Sequence, residues 1–138
     1  MRPASLATRA VAALAALASA GAGAAAPTVS SSVSFARDVA PVLRANCATC
    51  HLTGQEAGQM KLHPGGAYAS LVKVASVESP LQRVAPGAPD KSYLMHKLDG
   101  THLDAGGSGE RMPFGQPPLD DATRELLRRW IAAGAANN

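Results

Sequence analysis

Aromatic rings are scarce in this 138-residue chain, which has only Phe35, Tyr68, Tyr93, Phe114 and Trp130. A domain this poor in rings fills its centre with aliphatic side chains or with something that is not protein. Cysteine is scarcer still, at two residues, which excludes a small secreted scaffold stapled by several disulfides. A strong excess of one charge is also lacking: the formal net charge is +3. Lys and Arg stand singly along the chain, so the clustered basic face of a nucleic-acid binder is missing. No internal repeat is present. After residue 26 no apolar run approaches the roughly 20 residues that span a bilayer. The length leaves room for one domain.

What is present begins with a leader. Arg2 and Arg9 precede an Ala/Leu/Val stretch from Ala10 to Ala18, and small residues continue to Ala26. Charged, apolar and small segments in that order make a secretory signal peptide. Ala18-Ser19-Ala20 and Ala24-Ala25-Ala26 both offer the small side chains that signal peptidase requires. An uncleaved membrane anchor is the alternative, but alanine and glycine partition weakly into hydrocarbon. The expectation is a signal peptide over 1–26, export to the periplasm, a Ser/Thr/Val-rich linker over 27–33 and a folded domain over 34–136. Removing Arg2 and Arg9 leaves eleven Lys/Arg against ten Asp/Glu, a formal charge of +1. Such a surface has no strong docking patch. A mature domain of this size is small enough that burying a cofactor would matter to its stability.

Along the domain, Asp38 is the expected cap of a first helix, with Pro41 tolerated in its first turn and Val39, Val42, Leu43 and Cys47 on one side. Phe35 could pack beneath that side. Residues 52–66 read as a loop and 67–74 as a short helix. Three prolines and a glycine forbid regular structure over most of 79–89. Pro89 is placed to open a helix reaching Leu98, with Leu94 and Leu98 one turn apart. Residues 99–119 hold five glycines and three prolines, and an unstructured connection of that length needs a job. The last helix is capped by Asp120 or Asp121, carries Ala122, Leu126, Leu127, Trp130 and Ile131 as an apolar stripe, and ends at Gly134. Arg124, Arg128 and Arg129 lie on its polar side, toward the negative end of the dipole.

The two cysteines stand in Cys47-Ala48-Thr49-Cys50-His51, the attachment signature of c-type haem. Two thiols three positions apart can add to the two vinyl groups along one porphyrin edge, and the next residue then presents an imidazole to the iron. A thioredoxin-like dithiol shares the cysteine spacing but expects a strand before the motif within an α/β pattern, where a helix stands here. A zinc site needs about four ligands, and His63, His96 and His102 do not pair at ligand spacing. A structural disulfide would close too small a loop to restrain the unfolded chain much. Exported thiols are ordinarily oxidised, and thioether attachment is one stable alternative to that fate.

The face of the iron opposite His51 needs its own ligand, which separates electron carriers from gas binders and catalysts. Met112 is the candidate: it lies 61 positions after His51, in the glycine- and proline-rich loop and directly before Pro113. Proline limits the freedom of such a loop. Met60 would have to swing round the ring from a loop just after His51, and Met95 lies within an expected helix. His96 and His102 are bis-histidine alternatives, though, like His63, they read more simply as surface residues. A His/Met pair implies a relatively high potential.

These residues resemble the monohaem class I cytochromes c, in particular the bacterial type of planctomycetes and proteobacteria. The matching segments are Phe35-Ala36-Arg37-Asp38-Val39-Ala40-Pro41-Val42-Leu43 running into the haem motif, Arg83-Val84-Ala85-Pro86-Gly87 before Ser92-Tyr93-Leu94, and Arg111-Met112-Pro113 before Trp130-Ile131-Ala132-Ala133-Gly134-Ala135. They span nearly the whole mature chain. The resemblance implies an all-α class I cytochrome c fold, about four short helices wrapped around one covalent haem c. It implies thioethers at Cys47 and Cys50 and iron ligated by His51 and Met112. The first and last helices would cross beside the haem and bring Phe35 or Val39 near Trp130. Ala88 departs from the family, which often places a capping Asp or Asn there. Arg83 or Arg111 is a candidate partner for a haem propionate.

The expected function is single-electron transfer between redox partner proteins, by a carrier and not an enzyme, with a poorly folded apo form. If Met112 does not ligate, a pentacoordinate gas-binding or peroxidase-like haem protein takes its place. A haem relay subunit of a larger oxidoreductase complex is the other alternative.

Overall fold

In a computed structural model the described residues are 32–138; the expected signal peptide and most of the linker lie outside them. A π-helical turn, Phe35–Val39, runs directly into α1, Ala40–Asn46. Then follow α2 (Ala67–Leu71), a 3-10 turn (Pro89–Lys91), α3 (Tyr93–Asp99) and α4 (Asp121–Ala132). The described residues hold no strand, only isolated bridges that tie Val72 to Val84, Ala75 to Gln82 and Gln82 to Ser92. The all-α expectation holds. No helix among the described residues is long and apolar enough to cross a membrane.

The start of the first helix differs from the sequence expectation. Ser34, not Asp38, is the cap: its hydroxyl accepts from the Arg37 amide at 3.3 Å, while the Asp38 carboxylate reaches back to accept from the Ser34 amide at 2.8 Å. This is a capping box widened by one residue. The wider π turn accounts for it, because it places the reciprocating carboxylate four positions on rather than three. Arg37 pairs with the same carboxylate at 3.0 Å, and these bonds hold the Asp38 pKa below its usual value.

The segment expected as one helix from Pro89 to Leu98 is two pieces. Ser92 is extended (φ −102°, ψ 113°) and its hydroxyl is drawn into the preceding loop, accepting from the Ala85 amide and donating to the Ala88 carbonyl, both at 2.9 Å. The Gln82 and Arg83 carbonyls receive the first amides of α3, from Tyr93 and Leu94. Backbone from a distant loop thus does the capping of α3 that the Ser92 side chain, engaged elsewhere, does not supply.

Asp120 caps α4, accepting from the Thr123 amide at 2.7 Å and the Thr123 hydroxyl at 2.9 Å. Its arginines do more than complement a dipole. Arg124 and Arg128 both grip Asp99 at the end of α3, at 2.9 and 2.6 Å, which ties the two helices together. The packed centre lies where the first helical segment meets α4: the Phe35 ring sits 5.4 Å from Trp130 and 5.2 Å from Tyr68. After α4 the chain folds back. Trp130 and Tyr68 donate to the Ala136 and Ala135 carbonyls, and Asn138 receives the amides of Phe35 and Ala36.

Candidate functional site

The carbonyl of Cys47 accepts from both Cys50 (3.2 Å) and His51 (3.1 Å), so the pentapeptide closes a hydrogen-bonded turn of its own directly after α1, which ends at Asn46. Residues four apart across such a turn share a face, which puts Cys47 and His51 on one side with Cys50 beside them. All three line a single cavity of about 560 Å3. Met112 lines it too, although it comes from the 99–119 loop. The four residues singled out in the sequence therefore meet in one place. The remaining wall is mostly apolar and includes Leu62, Leu71, Leu94, Leu98 and Phe114. Its size falls within the roughly 300–1,000 Å3 of ordinary ligand pockets.

Cys47 is half-buried and Cys50 exposed, and both are free. Burial, with the second thiol beside it, pushes the Cys47 thiol up to about 11. A helix and not a strand leads into the pair, unlike the α/β setting of a thioredoxin-like dithiol. Burial lowers the His51 pKa, opposed by Glu56 and Glu78 and by the nearby Ala57 carbonyl. A neutral imidazole is the form that binds metal. Its Nδ1 is buried and has no hydrogen-bond partner among the described residues. Just beyond, the Glu56 carboxylate accepts from the Thr53 and Gly54 amides and the Thr53 hydroxyl, which takes its pKa down to about 2 and closes a tight turn behind His51.

The other candidates divide. Met60 does line the cavity, close enough to Gly58 that a side chain there would meet it. Met95 is 2 % exposed within the core. His96 bonds Thr101 and the Asp90 carbonyl away from the cavity. His102, expected on the surface, is buried, with Nε2 donating to the Gly109 carbonyl at 2.9 Å. Among the described residues no group of three or more His, Cys, Asp or Glu gathers to hold a bare metal ion.

Arg83 is in the cavity wall and buried, its guanidinium donating to the Ser70, Gly58 and Gln59 carbonyls. Its Nε has no partner among the described residues. Arg111 is turned to the carbonyls of Met112 and Gln116. Sequence reasoning missed Lys97 and Glu78, which both line the cavity and pair at 3.3 Å. Lys97 lies three positions after Leu94 and one before Leu98, at the edge of the buried face of α3. That position was the available clue.

No protein-family model, no curated protein and no solved structure matches this chain.

Proposed function

We propose that this chain is an exported, periplasmic monohaem c-type cytochrome of the class I fold, an electron carrier and not an enzyme. Cys47 and Cys50 would hold haem c through thioethers, and His51 and Met112 would ligate its iron. One observation carries the reading: four side chains that this chemistry requires, from segments 61 positions apart, line the same apolar cavity.

The residues fit the group. The lining is mostly apolar, as a porphyrin would require, and the thiols and the imidazole share one hydrogen-bonded turn, so that two bonds and one ligand would arise from one short segment. Bound haem supplies a one-electron ferric/ferrous couple, with sulfur ligation favouring the ferrous state. The chain's own part is positioning and dryness. Leu62, Leu71 and Leu98, each at most 3 % exposed, keep water from the inner wall. Phe114 at 68 % exposure, and Cys50, mark the open side, where redox partner proteins would approach.

Expression beside a c-type maturation apparatus tests this. The expected product has the mass of the polypeptide plus one haem, retains the haem through acid extraction, and binds carbon monoxide only slowly when ferrous. Replacing both cysteines by serine should release the haem on extraction. Bare polypeptide mass from a competent host overturns the proposal. Covalent haem with rapid carbon monoxide binding removes Met112 as ligand and leaves a gas-binding protein.

A further inference from the structure

The segment that delivers Met112 has no helix or strand of its own, so side chains must fix it. Three do, at consecutive residues. The Lys97 ammonium donates to the Ser108 carbonyl at 2.7 Å and to the Glu110 carbonyl at 3.1 Å. His102 donates to the Gly109 carbonyl between them. Tyr93 exchanges long hydrogen bonds with the amide and carbonyl of Ser108. Lys97 acts a second time through its backbone, since its carbonyl receives the Met112 amide at 2.9 Å. One residue of α3 therefore grips the loop at 108, 110 and 112.

We infer that Lys97 is the positioning residue for Met112, holding the thioether toward the cavity by anchoring the loop on either side of Glu110, with Glu78 as its counter-charge. The inference rests on the haem reading above. A buried ammonium is costly unless it is paired and hydrogen-bonded. Here the side chain is 9 % exposed, and its three protons face two carbonyls and the Glu78 carboxylate at 3.3 Å, with the Tyr93 ring 5.6 Å away. An aliphatic residue would cover the same wall without that cost but would leave two loop carbonyls without donors.

The test compares wild-type holoprotein with Lys97→Met, which keeps the length and the backbone bond to Met112. In the wild type, the ferric spectrum should show the sulfur-to-iron charge-transfer band of thioether ligation. Its absence removes the ligand assignment and this inference with it. With the band present, Lys97→Met is expected to lose most of it, bind carbon monoxide at least tenfold faster when ferrous, and shift the midpoint potential downward, while haem attachment and helical circular dichroism persist. Lys97→Arg, which can still donate to the carbonyls, should restore part of the band. A folded Lys97→Met holoprotein with the wild-type band and wild-type carbon monoxide kinetics overturns the inference and leaves the haem reading intact. If Lys97→Met does not accumulate, NMR of the wild type decides: slowly exchanging Lys97 ammonium protons close to residues 108–110 support the anchor, and freely exchanging ones overturn it.

Discussion

Gly107 offers a measure of how tightly the loop that carries Met112 is seated. A methyl group there would lie 2.7 Å from the His102 carbonyl oxygen and closer still to the hydroxyl and ring of Tyr93. Gly107 is not among the residues with positive φ, so alanine there escapes the left-handed backbone penalty and the main cost is space. Neither neighbour yields easily: one is backbone that already receives the Gly107 amide at 2.8 Å, and the other is a ring 3 % exposed. Overpacking of this kind costs about 1–3 kcal/mol. Moving Tyr93 would also break its bonds to Ser108, at about 0.5–1.5 kcal/mol each for good geometry and less at these lengths. Gly107→Ala should therefore lose about 2–4 kcal/mol, a large share of a typical domain stability of about 5–15 kcal/mol. Gly87→Ala is the control. Gly87 has φ +78° and no atom within 4 Å of an added methyl, so it carries only the left-handed backbone penalty of about 1–2 kcal/mol. Urea unfolding of both variants, read as midpoint shifts at constant slope, should rank Gly107→Ala as clearly the worse. Equal or reversed losses would refute the reasoning, because the loop would then have slack that the distances deny.

Phe35→Ala removes a buried ring that touches both Tyr68 and Trp130; the expected loss is about 3–5 kcal/mol in urea unfolding, and a loss below about 1 kcal/mol would mean that the meeting of the first helix with α4 is not a packing centre. Arg83→Met leaves the Ser70, Gly58 and Gln59 carbonyls without their donor, with an expected cost of about 2–4 kcal/mol and faster amide exchange over 58–62. Asp120→Ala should lower the urea midpoint through loss of the α4 cap. Because its bonds to Thr123 depress the folded Asp120 pKa, the cap's contribution is full above the unfolded carboxylate pKa and fades as pH falls through the lower folded value. The wild-type advantage over Asp120→Ala should accordingly shrink only in acid, and an advantage independent of pH would refute a carboxylate cap.

The parts of this molecule that could be read from the sequence are those governed by local rules. Asp120 capping α4, the stripe of Leu127, Trp130 and Ile131, and the turn through Cys47 and His51 each depend on residues within a few positions of one another. The misreadings arise where distant backbone intervenes. Asp38 has the chemistry of a cap, but the π turn at Phe35 hands that role to Ser34. The helix expected from Pro89 breaks at Ser92 because the Ala85 amide and Ala88 carbonyl claim its hydroxyl, while Gln82 and Arg83, brought alongside by the bridges, receive the first amides of α3. His102 read as a surface residue because nothing nearby in sequence shows that Gly109 turns back to meet it. The gathering of Cys47, Cys50, His51 and Met112 was expected from the motif and the resemblance, but the means of holding Met112 in place was not.

That means is shared by both halves of the cavity. Two loops meet there: residues 52–66 follow His51, and residues 99–119 carry Met112. Neither has a repeating backbone pattern, so their carbonyls need donors from elsewhere. Arg83 supplies them to Gly58 and Gln59, and Lys97 to Ser108 and Glu110. Both cations are buried and both line the wall. Burial lowers the Arg83 pKa and the charge of Glu78 opposes that shift, while Glu78 also pairs with Lys97 at 3.3 Å. A wall of leucines alone could enclose an apolar group but could not fix the loops on either side of it. Removing the shared carboxylate should thus loosen both loops together. In Glu78→Gln, amide exchange is expected to rise over 58–62 and 108–112 alike; a rise confined to one segment would show that the two cations hold their loops independently.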